Sequence, residues 1–383
     1  MRIAVVGGGP AGLYFGTLMR KLLPDTSVDV YEQNAAQSTF GFGVGLQSGS
    51  WSYFKADNPA LLEDILKASH MIRGHQIVHK GETVTLDYTQ DDAGIERLAL
   101  LHVLQTHAAQ AGVELKFCER ITDARQFEAY DLIVGADGVN SVVRNSFEKE
   151  FGTTRRELTA KMAWYGTTKA FNSGRISFRK TPYGWFWCVG YAHSPTKSTF
   201  LAECDDEAYR ASGLADMSQE EQIAFAERIF AEDLDGASIL YNNSIWRALP
   251  VIRVKHWNVG KYALVGDALH SPHPSIGSGT RLAMDDASAL ARAVAAQPDD
   301  IAAALTAYRA AREPSKSKLV GAMEASMEWY ETIADKLDDM DAEELTFCYL
   351  ARTGRISLDR LREMAPGFMA THGNSDAAKR WLG

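Results

Sequence analysis

The first residues of the chain change from a short apolar run to glycines and then to a second apolar run at helical density. Residues 2–6 predict a buried strand, and residues 13–19 predict a helix. The glycines of a G-x-G-x-x-G pattern, Gly7, Gly9 and Gly12, stand between the two elements. Strand, glycine turn and helix in this order match the fingerprint of a dinucleotide-binding fold. Gly9 would let a pyrophosphate reach bare backbone at the start of the helix, where unpaired N–H groups point outward.

A second predicted strand, residues 28–32, ends in the carboxylate of Glu32. Glu32 follows Gly12 by twenty residues, which is the spacing expected for an acceptor of ribose hydroxyl groups. The two strands, the helix and Glu32 together predict a site for an adenine dinucleotide. The alternative is a glycine-rich turn in an ordinary α/β sheet.

Two later strand-like runs each end in an aspartate beside a glycine. Asp137 precedes Gly138, and Asp267 follows Gly266. Because aspartates at the carboxyl ends of strands face the ligand crevice of an open α/β sheet, we expect both carboxylates near the ligand. A simple Asp-Gly turn is the alternative for Asp137. A glycine-rich turn then leads into a long helix over residues 280–296, which predicts an anion site at its N-terminus.

Two further segments carry candidate contacts. Residues 96–112 predict a strong helix that Arg97 opens, with Gln105 two turns later. Most arginines and glutamines on helix surfaces are simply solvated, so a ligand role needs other support. In residues 39–46, glycines at alternate positions suit a mobile loop that passes close to a flat ligand. A bent strand explains the same pattern.

The later part of the chain shows two different patterns. Residues 161–244 are aromatic and strand-like, with Gly, Pro, Ser and Asn between the segments, which predicts an antiparallel sheet. The aromatic side chains on one face of this sheet would line a pocket, or they would simply form part of the hydrophobic core. Residues 301–383 predict helices that serve packing, with breaks near Pro314 and Gly354. The remaining predictions are a helix followed by a loop over residues 51–74, a strand pair over 75–88 and a helix over 217–233.

Length and composition narrow the class of protein. The chain of 383 residues is long enough for two or three domains, and its formal net charge of −9 argues against nucleic acid or an anionic membrane as a partner. Its apolar N-terminal run is too short for a signal peptide, and no run is long enough to span a membrane. We expect a monomer or a homodimer without a metal site. Reduced thiols in the cytoplasm are indicated by four cysteines without C-x-x-C spacing: Cys118, Cys188, Cys204 and Cys348.

Three motifs, in this order along the chain, resemble those of the FAD-dependent aromatic hydroxylases, the single-component flavin monooxygenases typified by para-hydroxybenzoate hydroxylase. They are the glycine fingerprint that ends at Glu32, the strand end at Asp137, and Asp267 with the glycine-rich turn after it. The match covers most of residues 1–310. A closer resemblance is to the salicylyl-CoA and anthraniloyl-CoA hydroxylases and to the tryptophan-derivative hydroxylase of violacein biosynthesis. It rests on residues 97–101 with Gln105, 164–167, 198–200 with Glu203 and Cys204, and 275–280.

The resemblance implies an α/β fold, α+β overall. It would consist of a Rossmann-like FAD-binding domain, an inserted antiparallel-sheet substrate domain and C-terminal helices. We assign residues 1–74, 95–160 and 255–310 to the FAD-binding domain, 75–94 and 161–254 to the substrate-binding sheet, and 311–383 to the C-terminal helical segment.

The resemblance also implies where a non-covalent FAD would bind. The ADP half would lie on the glycine fingerprint and Glu32, Asp267 would bind the ribitol, and the turn that begins at Pro274 would face the isoalloxazine ring. The implied cofactor-binding residues are Gly7, Gly9, Pro10, Ala11, Gly12, Glu32, Gln33, Gly43, Val44, Arg97, Gln105, Asp137, Gly138, Gly266, Asp267, Pro274, Gly277, Ser278, Gly279 and Thr280.

Some of these residues carry more specific expectations. Arg97 and Gln105 would contact the pyrophosphate and ribitol side of FAD. Asp137 would serve FAD and approach NADH or NADPH. Arg281 stands where many family members have Asn, although the acyl-CoA hydroxylases carry a basic residue there.

The resemblance implies a mechanism as well. The chain has no second nucleotide fingerprint, so NADH or NADPH would bind transiently and reduce the flavin. The reduced flavin would add O2 to give a C4a-hydroperoxyflavin, which transfers OH to a small, electron-rich aromatic substrate. His193 or Tyr165 would be a general base, although most such residues in a sheet domain are structural.

Two other functions are compatible with the same motifs. Residues 185–190 half-match the W-x-W-x-I-P motif of flavin-dependent halogenases, but Val189 and Gly190 break its end. A non-catalytic flavin-binding or ligand-sensing protein would carry the same FAD motifs. The expected function is a flavin monooxygenase that acts on an aromatic acid, its CoA thioester or an indole derivative.

Overall fold

The strand, turn and helix predicted at the N-terminus are all present, as β1 (Arg2–Val6) and α1 (Pro10–Leu22). In chain order, the later strands are β2 (Ser27–Glu32), β3 (Gly43–Leu46), β4 (Ser69–Ile72), β5 (His75–His79), β6 (Glu82–Leu86), β7 (Asp92–Glu96), β8 (Glu114–Phe117), β9 (Leu132–Gly135), β10 (Thr153–Thr167), β11 (Gly174–Thr181), β12 (Gly184–Ala192), β13 (Ser198–Cys204), β14 (Ile239–Leu240), β15 (Arg247–Val254), β16 (Asn258–Val259) and β17 (Tyr262–Leu264). The later helices are α2 (Trp51–Asp57), α3 (Pro59–Lys67), α4 (Arg97–Gln110), α5 (Val142–Ser146), α6 (Glu148–Phe151), α7 (Asp206–Ala211), α8 (Gln219–Ile229), α9 (Ala231–Leu234), α10 (Gly279–Ala296), α11 (Ile301–Thr332), α12 (Ala342–Ala351), α13 (Leu358–Met364), α14 (Pro366–His372) and α15 (Asp376–Leu382).

The computed structural model of the protein describes residues 1–271, 273–274, 277 and 279–383, except the side chains of Ser50, Ser52 and Tyr53. Within the described residues the strands form three sheets, which we call the first, second and small sheets. No helix in this described part of the chain is long and apolar enough to cross a membrane.

The first sheet has the order β16-β17-β9-β1-β2-β8. Its neighbouring strands are parallel except at the edge, where β16 pairs antiparallel with β17. Ile3, Ala4 and Val5 of β1 are fully buried, as expected for a central parallel strand covered on both faces. Helix α1 packs against α4 and α10. The α/β class and the Rossmann-like arrangement that the sequence predicts are confirmed.

The second sheet runs β14-β10-β13-β12-β11-β5-β6, with β15 paired to β10. Side chains alternate between its two faces. The outer face includes Tyr165 and Phe200 in a hydrophobic cluster with Phe225 of α8. The inner face includes Trp187, whose ring centroid lies 6.0 Å from that of Tyr330 in α11. The predicted antiparallel sheet is present from β10 to β15, but β5 joins it in parallel with β11, so the sheet as a whole is mixed. Helices α7 to α9 cover one face, and α11 with the C-terminal helices covers the other.

Three predictions near the second sheet have different outcomes. The strand pair over residues 75–88 is confirmed, as β5 and β6. The helix followed by a loop over 51–74 is only partly right, because α2 and α3 are followed by β4, which joins the small sheet with β3 and β7. The helix over 217–233 forms as α8 and α9, and Ser218 and Glu221 make a capping box before α8. The domain boundaries stay a prediction.

The predicted break at Pro314 is wrong, because α11 continues through it. Proline cannot donate to the carbonyl four residues earlier and costs about 3 kcal/mol inside a helix. Packing on both sides of Pro314 holds the helix together: Arg312 Nε donates to Asp286 Oδ1 at 2.9 Å, and Met327 is buried. The break near Gly354 is confirmed, since α12 ends at Ala351 and Gly354 has a φ of +63°.

Candidate active site

The glycine turn leaves open space at the start of α1. Gly7 has a φ of +107°, and a Cβ there would lie 2.4 Å from the carbonyl oxygen of Ala136. A Cβ on Gly12 would lie 2.1 Å from the carbonyl oxygen of Gly7, so only glycine allows helix and strand to approach this closely. A Cβ on Gly9 would meet no atom within 4 Å, and Pro10 and Ala11 begin the helix directly after it. An anion therefore has room to reach the helix N-terminus.

Glu32 lies beside this turn and is held by local hydrogen bonds. Its Oε2 accepts from the backbone N–H of Gly8 at 2.9 Å, and its Oε1 accepts from the backbone N–H of Asn34 at 2.8 Å. Carboxylate oxygens have further lone pairs, so Glu32 can still accept from ribose hydroxyls. Gln33 is exposed. Gln105 Nε2 donates to the carbonyl oxygen of Ala36 at 3.1 Å, so this side chain holds the backbone that follows β2.

Asp137 has one carboxylate oxygen in a structural contact and one without a partner. Its Oδ2 accepts from the backbone N–H of Val142 at 2.6 Å, at the start of α5. Its Oδ1 is buried and has no hydrogen bond within the described residues, and burial raises the pKa of this carboxyl. A Cβ on Gly138 would meet open space, and the φ of this residue is +76°. Oδ1 of Asp137 thus keeps its capacity to accept a hydrogen bond from a ligand.

Asp267 and Arg97 lie near each other at the bottom of a cleft. Asp267 is accessible to solvent, yet the protein around it raises the pKa of its carboxyl, while His270 and Arg97 act in the opposite direction. Burial also lowers the pKa of the Arg97 guanidinium. Gly266 has a φ of +60°, and a Cβ there would lie 2.9 Å from that of Ala283 in α10. A carboxylate that solvent reaches although protein atoms crowd around it is typical of a concave ligand site.

Gly43 and Val44 belong to β3, so the segment predicted as either a mobile loop or a bent strand contains a strand in this structure. The backbone N–H of Gly43 donates to Thr199 Oγ1 at 2.8 Å, and the hydroxyl of Tyr191 donates to its carbonyl oxygen at 3.0 Å. A Cβ on Gly43 would lie 2.7 Å from that of His193. The glycine is therefore required by the close approach of the second sheet.

The turn before α10 completes this side of the cleft. The backbone N–H of Gly277 donates to the carbonyl oxygen of Pro274 at 2.9 Å, and Gly277 has a φ of +58°. Gly279 and Thr280 form the first residues of α10. Ser278, which the sequence assigns to the cofactor, lies outside the described residues.

The structure places the two candidate general bases apart. His193 is buried next to Gly43, and burial with the nearby Lys197 charge lowers its pKa to about 4, so it is a weak base near neutral pH. Tyr165 lies on the outer face of the second sheet, away from Gly43 and Tyr191. Burial raises the pKa of Tyr165 to about 12. This position disfavours a catalytic role for Tyr165.

Glu203 is a residue of the inner face that the sequence analysis did not assign to catalysis. It is 3 % exposed, and its Oε2 accepts from Trp187 Nε1 at 2.6 Å. Burial raises the pKa of its carboxyl to about 7, against the hydrogen bond from Trp187. The ring of Tyr330 links this pair to His273 beside the Pro274 turn, with ring centroids 5.2 Å apart. An acidic residue inside the otherwise uncharged and fully buried strand β13 is the signal that points to it.

These features fit a dinucleotide with a flat ring. The space at Gly9, the oriented carboxylate of Glu32 and the accessible Asp267 line up along the carboxyl ends of the first sheet. The unpartnered oxygen of Asp137 offers a further polar contact. Fold and site together define a nucleotide-binding flavoprotein. When bound, the flavin supplies the redox and oxygen-transfer chemistry, and the protein supplies binding and orientation.

The chain belongs to the FAD binding domain family, whose model matches residues 1–322. It is 32% identical over 362 residues to the salicyloyl-CoA 5-hydroxylase of a Streptomyces species. This alignment covers 92% of this chain and 70% of the relative. It is 34% identical over 377 residues to the 3-hydroxy-4-methyl-anthranilyl-[aryl-carrier protein] 5-monooxygenase of Streptosporangium sibiricum. That alignment covers 97% of this chain and 100% of the relative.

Solved structures share the fold. A variant of 2-methyl-3-hydroxypyridine-5-carboxylic acid oxygenase superposes with a TM-score of 0.70 at 18% identity, which covers 92% of this chain and 96% of that one. The protein is an FAD-dependent monooxygenase, and the expected resemblance to the aromatic hydroxylases is confirmed. These relatives give no support to a halogenase or to a non-catalytic flavin-binding protein.

Proposed function

We propose that the protein uses O2 and NADH or NADPH to hydroxylate an electron-rich aromatic ring that is carried as an acyl thioester. The observation that carries this proposal is the match to two relatives above 30% identity, each over more than nine-tenths of this chain. One is named for a CoA thioester and the other for an aromatic acid on a carrier protein.

The inner face of the second sheet supports an aromatic substrate. Leu201 and Trp187 are buried on this face, and the ring of Tyr330 lies between those of Trp187 and His273, so the surroundings are apolar and aromatic. Electrophilic hydroxylation is faster when the phenol or aniline substituent of the ring gives up a proton to a nearby base. Glu203 lies on this face with a raised pKa, so we assign to it the role of proton acceptor for the ring substituent.

Two arginines that follow α12 in the chain support a phosphate-bearing handle on the substrate. Arg355 and Arg360 are exposed and have no carboxylate partner within the described part of the chain. Burial and the charges of Arg360 and Arg281 lower the pKa of Arg355, although Arg281 Nε also lies 3.5 Å from Oδ2 of Asp285. A CoA or phosphopantetheine phosphate would neutralise this local charge.

A substrate panel tests the proposal. The purified enzyme with FAD would be given aromatic acids, their CoA thioesters, carrier-bound thioesters and indole derivatives, with NADH or NADPH. We expect faster NAD(P)H oxidation and a product heavier by one oxygen atom with hydroxy- or aminobenzoyl thioesters. Hydroxylation of the free acids or of an indole in preference to every thioester would overturn the thioester assignment while leaving the monooxygenase class intact.

The four cysteines have no disulfide bonds, with Cys118 exposed and the others buried. This supports the proposal that the protein works in a reducing cytoplasm. Size-exclusion chromatography with light scattering would test the expected monomer or homodimer, and a larger assembly would contradict it.

A further inference from the structure

A separate cleft of about 230 Å³ opens between β15, the segment 269–271 and α11. Its walls are mostly apolar, with His270 and Lys316 among the polar residues that line it. It does not include Arg97 or Tyr191, which surround the flavin-side cleft. The lining residues used below are Val251, Leu269, Lys316, Val320, Met323 and Met327.

Lys316 stands out among these residues. Its Nζ lies 3.9 Å from the ring centroid of Trp257, and it has neither an ion pair nor a hydrogen bond within the described residues. Burial lowers the pKa of its ammonium group to about 8, although Asp286 acts in the opposite direction. Half-buried lysines elsewhere are paired, as Lys161 is with Asp206 at 2.8 Å.

The acidic groups closest to Lys316 already have cationic partners. Asp286 Oδ2 lies 2.8 Å from His270 Nε2, and Asp286 Oδ1 lies 2.9 Å from Arg312 Nε. Glu313 pairs with Arg309 at 3.1 Å. Across the cleft, Arg253 and Glu324 pair with each other. The ammonium of Lys316 therefore has no unpaired carboxylate close to it among the described residues.

Size and lining limit what the cleft can hold. Its volume lies below the roughly 300–1,000 Å³ of pockets for drug-sized ligands, so a whole dinucleotide does not fit. Val320, Met323 and Met327 offer contact to one apolar ring, and methionines adapt to a flat aromatic surface. An anionic group at one end of such a ring would satisfy Lys316.

We propose that this cleft binds a small aromatic monocarboxylate, whose carboxylate pairs with Lys316 and whose ring lies on the apolar wall of α11. The site is additional to the flavin site and does not depend on the substrate proposed above. Leu269 separates the two, because it lines this cleft and lies two residues after Asp267. The cleft would thus sense an aromatic acid related to substrate or product at the back of the turn that carries Asp267.

Calorimetric titration of the FAD-loaded enzyme with benzoate, without NAD(P)H, tests the proposal. We expect a binding event that Lys316→Met weakens at least tenfold and that Lys316→Arg retains. Lys318→Met is the matched control, because Lys318 is exposed two residues further along the same helix. The uncharged analogue benzamide should bind at least tenfold more weakly than benzoate. Affinity should fall as the pH rises through about 8, where Lys316 loses its charge.

A second variant separates loss of the charge from loss of the site. Val320→Trp fills the cleft without changing any charge and should abolish the same binding event. Absence of benzoate binding at millimolar concentration in the wild type would overturn the proposal. Binding that persists unchanged in both Lys316→Met and Val320→Trp would also overturn it, because the ligand would then occupy another site.

Discussion

Trp187 Nε1 donates a hydrogen bond of 2.6 Å to Oε2 of Glu203, and no cation accompanies this carboxylate within the described residues. Both residues lie on the inner face of the second sheet, in register with each other on β12 and β13. Burial raises the pKa of Glu203 to about 7, so its carboxyl group changes protonation state within the neutral range. This places a titrating group on the face where we expect the aromatic substrate.

Glu203→Gln should lower the rate of hydroxylation by on the order of 10²-fold, because an amide cannot take up a proton. In the wild type the rate should rise with pH through about 7, as the carboxylate forms, and the variant should lose this rise. Product formation measured between pH 6 and pH 9 checks both effects. Glu207→Gln, an exposed change on α7, is the control. A variant with the wild-type pH profile would remove Glu203 from the reaction.

Glu203→Gln should lower activity but raise the free energy of unfolding at alkaline pH. Because the folded state raises the pKa of Glu203 above its ordinary value of 4.5, it binds the proton more tightly than the unfolded chain does. The wild type therefore loses stability as the pH rises from about 4.5 to about 7. Glu203→Gln should be more stable than the wild type at pH 8, by on the order of 1–3 kcal/mol. Urea unfolding at pH 5 and pH 8 measures this, and equal stability differences at both values would contradict it.

Glu32→Ala should lower the affinity for FAD by on the order of 1–3 kcal/mol, the usual contribution of a hydrogen bond to a charged group. The fold should remain, because the side chain lies at a strand end and its hydrogen bonds within the described residues go to the backbone of Gly8 and to Asn34. Titration of the apo-protein with FAD measures the change, and Glu114→Ala on the neighbouring strand β8 is the control. If the affinity is unchanged, Glu32 is only a surface residue.

Asp267→Ala should release FAD during purification, so that the wild-type protein is yellow and the variant is pale. The reason is the loss of a carboxylate that is open to solvent at the bottom of the cleft. Flavin content per protein measures the effect, with Asp299→Ala as an exposed control. Wild-type flavin content in the variant would contradict a contact between Asp267 and the cofactor.

Flavin reduction by NAD(P)H should be slow in the free enzyme and much faster with the true aromatic substrate. The flavin must meet NAD(P)H and substrate in turn, since the chain has a single dinucleotide fingerprint. Gly43→Pro should slow reduction, because it removes the N–H that donates to Thr199 and places a Cβ 2.7 Å from that of His193, and flavin content is measured beside the rate. Gly45→Ala is the control, since its Cβ would meet only ordinary contacts with Tyr191 at 4.0 Å. Stopped-flow absorbance of the flavin measures reduction, and full substrate stimulation in Gly43→Pro would show that β3 is merely structural.

The part of the site that binds the dinucleotide could be predicted from the sequence, because it depends on contacts between residues close together in the chain. Gly7, Gly9 and Gly12 are set by close contacts within one strand, turn and helix, and Glu32 follows at the end of the next strand. Such spacing depends on local backbone geometry, so a short stretch of sequence contains it. The dinucleotide-binding fold therefore follows from spacing in the sequence, whereas the monooxygenase class rests on the resemblance of three motifs to the flavin monooxygenases.

Long-range packing decided the rest. Alternation along β10 and β13 puts Tyr165 and Glu203 on opposite faces, but it cannot tell which face helices α7 to α9 cover. The local rule that proline breaks a helix fails at Pro314, because the buried Arg312–Asp286 pair holds α11 in place. The positive cluster near Arg355 and the unpaired charge of Lys316 arise where segments far apart in the chain meet. These features depend on which segments pack against each other and bury their surfaces, and only the folded protein decides that.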